Sequence, residues 1–392
     1  RKTDDPLKWD LAELGEKWMH DHVETLGAAT MDYYRIALDK RVAPYLYDRK
    51  IGSIRRRDVI AWRAEMMRVL DKDGKRVHSP RNINAAMSTL KAMYGWLLTN
   101  WDDEVSIANP VSRIKMLDEH TKAIRVYEPG EVMNLADQHY FLRQQQAEPK
   151  RGSMPRRKAH RLQSRDVTMT LVLGFCGLRM GELVGLELQH YDDGRVRDKD
   201  GKVLRENTVG WLTVEQQLDA KTGKLGATKG KRTRQVPILD SLRRALDWYI
   251  ASMPDRPLDA PLFPSMNRTA PAHWGYLPQG KWGGSTFKRA AIAAGFPNAV
   301  PHELRHTFAS MMIERTRGRI TPGRLAKWMG HKDATTTLRI YAHLYDRNED
   351  DLLRDVDADV FLSPTSLPLE IVEPDGDSDA ADLSLAEPGA AP

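Results

Sequence analysis

Pro301-His302-Glu303-Leu304-Arg305-His306-Thr307-Phe308-Ala309-Ser310 opens the stretch on which the reading of this chain turns, and Gly330-His331-Lys332 and Ile340-Tyr341-Ala342-His343 complete it. Glu303 to Glu314 carries Leu304, Phe308, Met311 and Met312 at helical spacing, so His302 and Arg305, three apart, project from one side of the first turn. A helix start with clustered donors suits an anion. An isolated His-x-x-Arg pair reads as a surface imidazole beside a solvated guanidinium. The phenol of Tyr341 and the further imidazole of His331 in the same segment shift that balance toward chemistry on a phosphate.

The bulk numbers point the same way. A chain of 392 residues with 41% hydrophobic content can hold two domains with proper cores. No apolar run approaches membrane-spanning length and no secretory signal is evident. The single cysteine, Cys176, excludes an intrachain disulfide and fits a reducing cytoplasm; within Leu171-Val172-Leu173-Gly174-Phe175-Cys176 it reads as a core residue, not a nucleophile. The formal charge is +6, yet residues 349–392 hold thirteen acidic side chains against one arginine, Arg354; removing that −12 leaves +18 on residues 1–348. Such an excess favours a polyanion whose affinity falls steeply with salt. No amphipathic lysine-rich anchor stands out, which disfavours anionic membrane.

Residues 1–115 read as all-helical. Asp10 caps a helix with Leu11, Leu14 and Trp18; Thr30 caps one with Tyr33, Tyr34 and Leu38; a third runs from about Arg57 to Leu70; and Ser79-Pro80 starts a fourth with Ile83, Met87, Leu90 and Leu97. Arg56, Arg81 and Lys91 are among the basic residues around these helices. Singly each is a solvated side chain, and as a set they predict a DNA-facing surface. Residues 116–128 are polar, with no sustained apolar period, and read as the linker to a second domain over 129–348. Gln144 to Arg165, dense in Lys, Arg, Gln and Pro, is a loop, either touching phosphates or merely solvated. Val167 to Leu188 then reads as an apolar helix, a Cys-Gly break and Leu178-Arg179-Met180-Gly181-Glu182-Leu183, with Glu182 one turn from Arg179. From Thr208 to Leu239 the period turns to two, giving short antiparallel strands around Ala227-Thr228-Lys229-Gly230-Lys231-Arg232. Residues 349–392 form an acidic tail that reads as largely disordered. The chain begins Arg1-Lys2 without an initiator methionine, as a fragment or processed product would, with a domain upstream left open.

Together, Arg179 within Leu178-Arg179-Met180-Gly181-Glu182, His302-x-x-Arg305-His306, Gly330-His331 and Tyr341 ten residues beyond that histidine resemble the tyrosine recombinases, the phage-integrase family. The resemblance covers roughly residues 10 to 345. It implies a mainly α fold with a small antiparallel β-sheet: an N-terminal helical core-binding, SAM-like domain clamping DNA, followed by the catalytic domain. It also implies site-specific recombination at double-stranded DNA target sites by a tetramer, through a covalent 3′-phosphotyrosine and a Holliday junction, without metal or other cofactor. Accessory DNA-bending or directionality factors, a bacterial cytoplasm and residues 349–362 as a protomer-exchange segment belong to the same expectation.

By that resemblance the catalytic set is Arg179, Lys229, His302, Arg305, His331 and Tyr341. Arg179, Arg305 and His331 bind the phosphate, and Glu182 supports Arg179. Lys229, with Lys231 as its near rival, protonates the leaving oxygen. Tyr341 attacks, with Tyr345 the alternative, and His302 is the base. Lys231 and Arg232 join the expected DNA contacts. A type IB topoisomerase would use nearly the same chemistry without partner exchange, and a DNA-binding regulator with a relic site is the non-enzymatic alternative. Zinc on His302, His306, His331 and His343 is disfavoured, because no metal-ligand spacing accompanies them.

Overall fold

The computed structural model describes residues 5–119, 124–146, 156–199, 202–206, 209–228, 230, 232–253, 255–265 and 274–345. Lys229, Lys231 and the acidic tail of the expectations above lie outside them. The chain divides into two units between Ile124 and Arg125. Each is built around its own core, and helices dominate both.

The first unit contains α1 (Leu11–Asp21), α2 (Ala28–Ala37), α3 (Arg56–Arg68) and α4 (Pro80–Asn100), with short connecting turns. Helix α1 starts where its sequence says it should. The Asp10 carboxylate accepts from the Glu13 amide at 2.9 Å, and Glu13 returns the bond to the Asp10 amide at 2.9 Å. Ser79 caps α4 through the Asn82 amide at 3.2 Å. Thr30 does not cap α2, which begins two residues earlier with Gly27 at its N-cap. The core is aromatic: Trp18, Trp62 and Tyr94 are buried, with Trp62 Nε1 donating to the Arg41 carbonyl and Tyr94 Oη to that of Ile51. Arg56, Arg81 and Lys91 are exposed. Residues 117–119 are not loose: Asn84 on α4 donates to the Leu117 carbonyl and Glu119 carboxylate and accepts from the Leu117 amide, all at 2.8–2.9 Å.

The second unit runs through α5 (Pro129–Gln146), α6 (Arg156–Cys176) and α7 (Met180–Gly185). A three-stranded antiparallel sheet follows, made by β1 (Tyr191–Asp192), β2 (Val209–Val214) and β3 (Arg234–Leu239) in the order β1-β2-β3, with Leu212 opposite Val236. Helix α8 (Asp240–Ala251) and a helical stretch around Trp282 complete the main core. The last three helices are α9 (Pro301–Arg315), α10 (Pro322–Met329) and α11 (Ala334–Tyr345). They share a smaller cluster of Phe308, Ile313, Leu325, Met329, Tyr341 and Leu344.

Of the basic segment Gln144 to Arg165, expected to be a loop, the described residues 144–146 and 156–165 are helical, and 147–155 lie outside the described residues. What the composition hid is burial: Arg165 pairs with Asp166 at 2.7 Å and donates to the Pro264 carbonyl, while Asp166 accepts from Trp282 Nε1 at 3.0 Å. A paired and hydrogen-bonded arginine can enter a core that composition alone would deny it. Cys176 is a core residue as expected, and burial pushes its thiol upward. Gly177 ends α6 at φ 64°, and a Cβ there would lie 2.3 Å from the Phe308 ring. That contact lets α9 press against the α6–α7 turn.

Candidate active site

Helix α9 enters the site with its first turn tied down. Pro301 stands at N1, and the Glu303 carboxylate accepts from the Val300 amide at 3.2 Å and from Tyr127 Oη at 2.8 Å. Leu304 and Phe308 pack inward as the sequence requires, and this carries Arg305 inside with them, 2% exposed. Its guanidinium donates to the Gly177 carbonyl at 2.6 Å and to the Met329 carbonyl. Burial, then the neighbouring cation Arg179, press its pKa down; Glu182 opposes them. Arginine remains cationic at neutral pH all the same.

Glu182 is the anion around which the cations gather. It is fully buried one turn into α7, 2.8 Å from Arg179, 2.6 Å from Arg234 and 4.0 Å from Arg305. Burial by itself would raise its pKa; the hydrogen bonds and charge of Arg234, then of Arg179, outweigh that and hold it below the carboxylate norm. Arg179 also receives structure through its backbone, its amide donating to Glu182 at 2.8 Å. Its other guanidinium nitrogen reaches the Gly330 carbonyl at 3.1 Å, 151 residues away.

Arg234 is a member of this network that the motifs did not reveal. From an inward position of β3 it grips Glu182 with two nitrogens and donates Nε to the Trp328 carbonyl at 2.8 Å. The signal was present in the alternation: Arg234 occupies the same face as Val236 and Ile238, where a charge demands a buried partner.

Gly330 ends α10 in the left-handed region, φ 66°, the conformation that favours glycine. A Cβ there would lie 2.7 Å from the Arg234 guanidinium. The turn places His331 with Nδ1 2.8 Å from Thr337 Oγ1. Burial, then Arg305 and Arg179, depress the His331 imidazole to about 4, so the ring is neutral. Arg179, Thr228, Arg232, Lys327, His331 and Lys332 are among the walls of a cavity of about 720 Å³.

Tyr341 lies on α11, 2% exposed, and its phenol is pushed up by burial, with Arg305 opposing. Its hydroxyl is 2.6 Å from Nδ1 of His306. His302 is exposed and meets the His306 ring edge to face, centroids 5.2 Å apart. The structure therefore brings Arg179, Arg305, His331 and Glu182 together. It seats Tyr341 against His306, a contact that the spacing of His302 and Arg305 did not indicate.

Residues 141–348 match the family described as the phage integrase family. The chain belongs to that family. Residues 11–67 of this integrase-family chain also match the phage integrase N-terminal SAM-like domain. Tyrosine recombinase XerC 1 of Ralstonia nicotianae is 28% identical over 244 residues, 60% of this chain and 62% of that one. Tyrosine recombinase XerC of Ralstonia pickettii is 27% identical over 256 residues, 64% and 65% of the two chains. The integrase-family chain thus spans just under two thirds of the length of these curated relatives. Its fold is shared with the Tn1549 transposon integrase in complex with transposon right end DNA, at TM-score 0.62 and 21% identity, covering 88% and 99% of the two chains. A lambda integrase dimer bound to a COC′ core site aligns at TM-score 0.55 and 16% identity, covering 88% and 79%.

Proposed function

We propose that this protein is a site-specific DNA recombinase that integrates or excises a phage or other mobile element. It would cut and rejoin strands through a 3′-phosphotyrosine, with Arg179, Lys229, His302, Arg305, His331 and Tyr341 as its catalytic set. The observation that carries this is the meeting of Arg179, from the start of α7, and Arg305, from the first turn of α9, on buried Glu182 beside Gly330-His331. Membership in the integrase family and the excess of positive charge before the tail support it.

A phosphodiester in the cavity would meet Arg179 and His331 from its walls. Arginine supplies a planar fork to two nonbridging oxygens, which lysine cannot imitate. Glu182 fixes the direction of that fork before substrate arrives, so little reorganisation remains for the transition state. Attack by Tyr341 would conserve the phosphodiester energy in the phosphotyrosine bond, and rejoining would need no nucleotide. Lys229 would protonate the departing 5′ oxygen. The scheme calls on no metal. On target DNA the protein would assemble as a tetramer, with accessory bending or directionality factors where the element supplies them.

The test is covalent trapping. Nicked duplexes of random sequence are incubated with the full chain, and protein–DNA adducts are sought on a denaturing gel. An adduct that disappears in Tyr341→Phe is expected; undiminished trapping by that variant would refute the assignment. Joining of two captured duplexes, as opposed to relaxation of one supercoiled circle, separates recombinase from topoisomerase.

A further inference from the structure

The Tyr341 hydroxyl is met at 2.6 Å by His306, with the two rings 6.0 Å apart and inclined at 49°. His302, the base expected from the motif, stands one turn earlier on the exposed side of α9 and touches the His306 ring. His331 directs its Nδ1 to Thr337. We infer that His306 seats the nucleophile and receives its proton as Tyr341 attacks, an inference that rests on the recombinase reading above.

Packing makes the contact specific. Helices α9 and α11 are joined through Phe308, Ile313 and Leu344, so the imidazole and the phenol are held from two rigid backbones. Burial keeps the His306 imidazole at about 4, helped by His302 and Arg305. The ring is therefore neutral and has a lone pair to offer, while burial keeps the Tyr341 proton in place. The resting state is then a phenol donating to Nδ1, with the ring proton on Nε2.

The charged and titratable groups around His306 are His302 and Arg305 on its own helix, Tyr341 on α11, and His331 after α10. A DNA phosphate in the cavity, against Arg179 and His331, brings negative charge that offsets the cations now depressing His306. Basicity thus rises when substrate is bound. In the step itself a Tyr341 oxygen lone pair forms the bond to phosphorus and the phenolic proton passes to Nδ1. The bond from phosphorus to the 5′ oxygen breaks, and that oxygen takes a proton from the acid assigned to Lys229. Rejoining reverses each transfer, and the imidazolium returns its proton to the phenol.

Two arms test this. The first uses the nicked duplexes that the intact chain traps, with either oxygen or sulfur at the 5′ bridging position, under single turnover across pH. The intact chain should speed up with rising pH and then level off. His306→Gln should slow trapping by on the order of a hundredfold and lose the pH rise, whereas His302→Gln, itself slowed as a member of the catalytic set, should keep the rise. Sulfur leaves without protonation, so it should restore a Lys229→Ala variant and not His306→Gln. Wild-type rate and pH profile in His306→Gln, or its rescue by sulfur, would overturn the assignment. The second arm needs no DNA. In ¹⁵N spectra of histidine-labelled protein, Nδ1 of His306 should show an acceptor signal that shifts in Tyr341→Phe, and an unmoved signal would overturn the contact. If the intact chain traps no DNA at all, the recombinase reading falls, and the imidazole spectrum alone decides whether His306 accepts from the phenol.

Discussion

At the residue scale Glu182 holds the cations of the candidate site together. Three guanidiniums stand within 4.0 Å of it in a buried setting, so removing its charge leaves cations without compensation. Loss of one partner from a buried ion pair typically costs about 3–5 kcal/mol. Glu182→Gln should lose stability on that scale in denaturant unfolding at pH 7 and should slow DNA trapping, because Arg179 loses its director. The pH dependence has a definite sign. With a folded pKa below the unfolded value, Glu182 contributes stability that is present above the ordinary carboxylate range and lost as pH falls through the folded pKa. An acid titration of unfolding free energy should therefore be shallower in Glu182→Gln than in the unsubstituted chain; equal slopes would contradict the role given to this carboxylate. Sequence placed Glu182 beside Arg179 by spacing, but the second and third cations come from β3 and α9, which no local spacing relates.

At the element scale the ends of helices decide where the candidate site residues sit. Helix α10 stops at Gly330, and its left-handed turn delivers His331 to the cavity while its carbonyl receives Arg179. Gly330→Ala faces two costs: a conformational one of about 1–2 kcal/mol for the left-handed backbone, and a Cβ 2.7 Å from the Arg234 guanidinium. Thermal unfolding should show a loss of at least the first, and trapping should weaken through the displaced Arg234. The start of α4 gives a control remote from the site in sequence and lying in the other unit. Ser79→Ala removes the cap to Asn82 and should cost about 1 kcal/mol in unfolding free energy. The caps at Asp10 and Ser79 were legible because each is a local hydrogen bond written in a few adjacent residues. Thr30, a preferred cap residue, lies inside α2, whose N-cap is Gly27 without a side-chain cap bond, so residue preference alone does not locate that start.

At the scale of the whole molecule, charge is unevenly divided. Residues 1–348 carry +18 and residues 349–392 carry −12. Binding to duplex DNA, followed by fluorescence anisotropy against salt, should fall steeply. Arg56→Ala, Arg81→Ala and Lys91→Ala should each reduce the log–log slope by roughly 0.9 if the side chain neutralises one phosphate. A variant whose slope is unchanged does not touch the backbone. Truncation after Asn348 removes the tail's negative charge and should tighten binding to nonspecific duplex at low salt, with the difference vanishing as salt screens it.

By itself the sequence determined the helical class, the small sheet and the family, and it named the candidate site residues. These follow from periodicity, caps and short motifs, all of which act over a few neighbouring residues. It also indicated that Arg179, His302, Arg305, His331 and Tyr341 form one set. Only the tertiary structure decided how they face one another. Burial turned Arg165 from an apparent loop charge into a core ion pair and gave Arg234 its buried partner Glu182, and the packing of α9 on α11 put His306, not His302, on the Tyr341 hydroxyl. A side chain's partner across a core depends on the angle and depth at which two helices meet, and spacing within either helix carries no information about that.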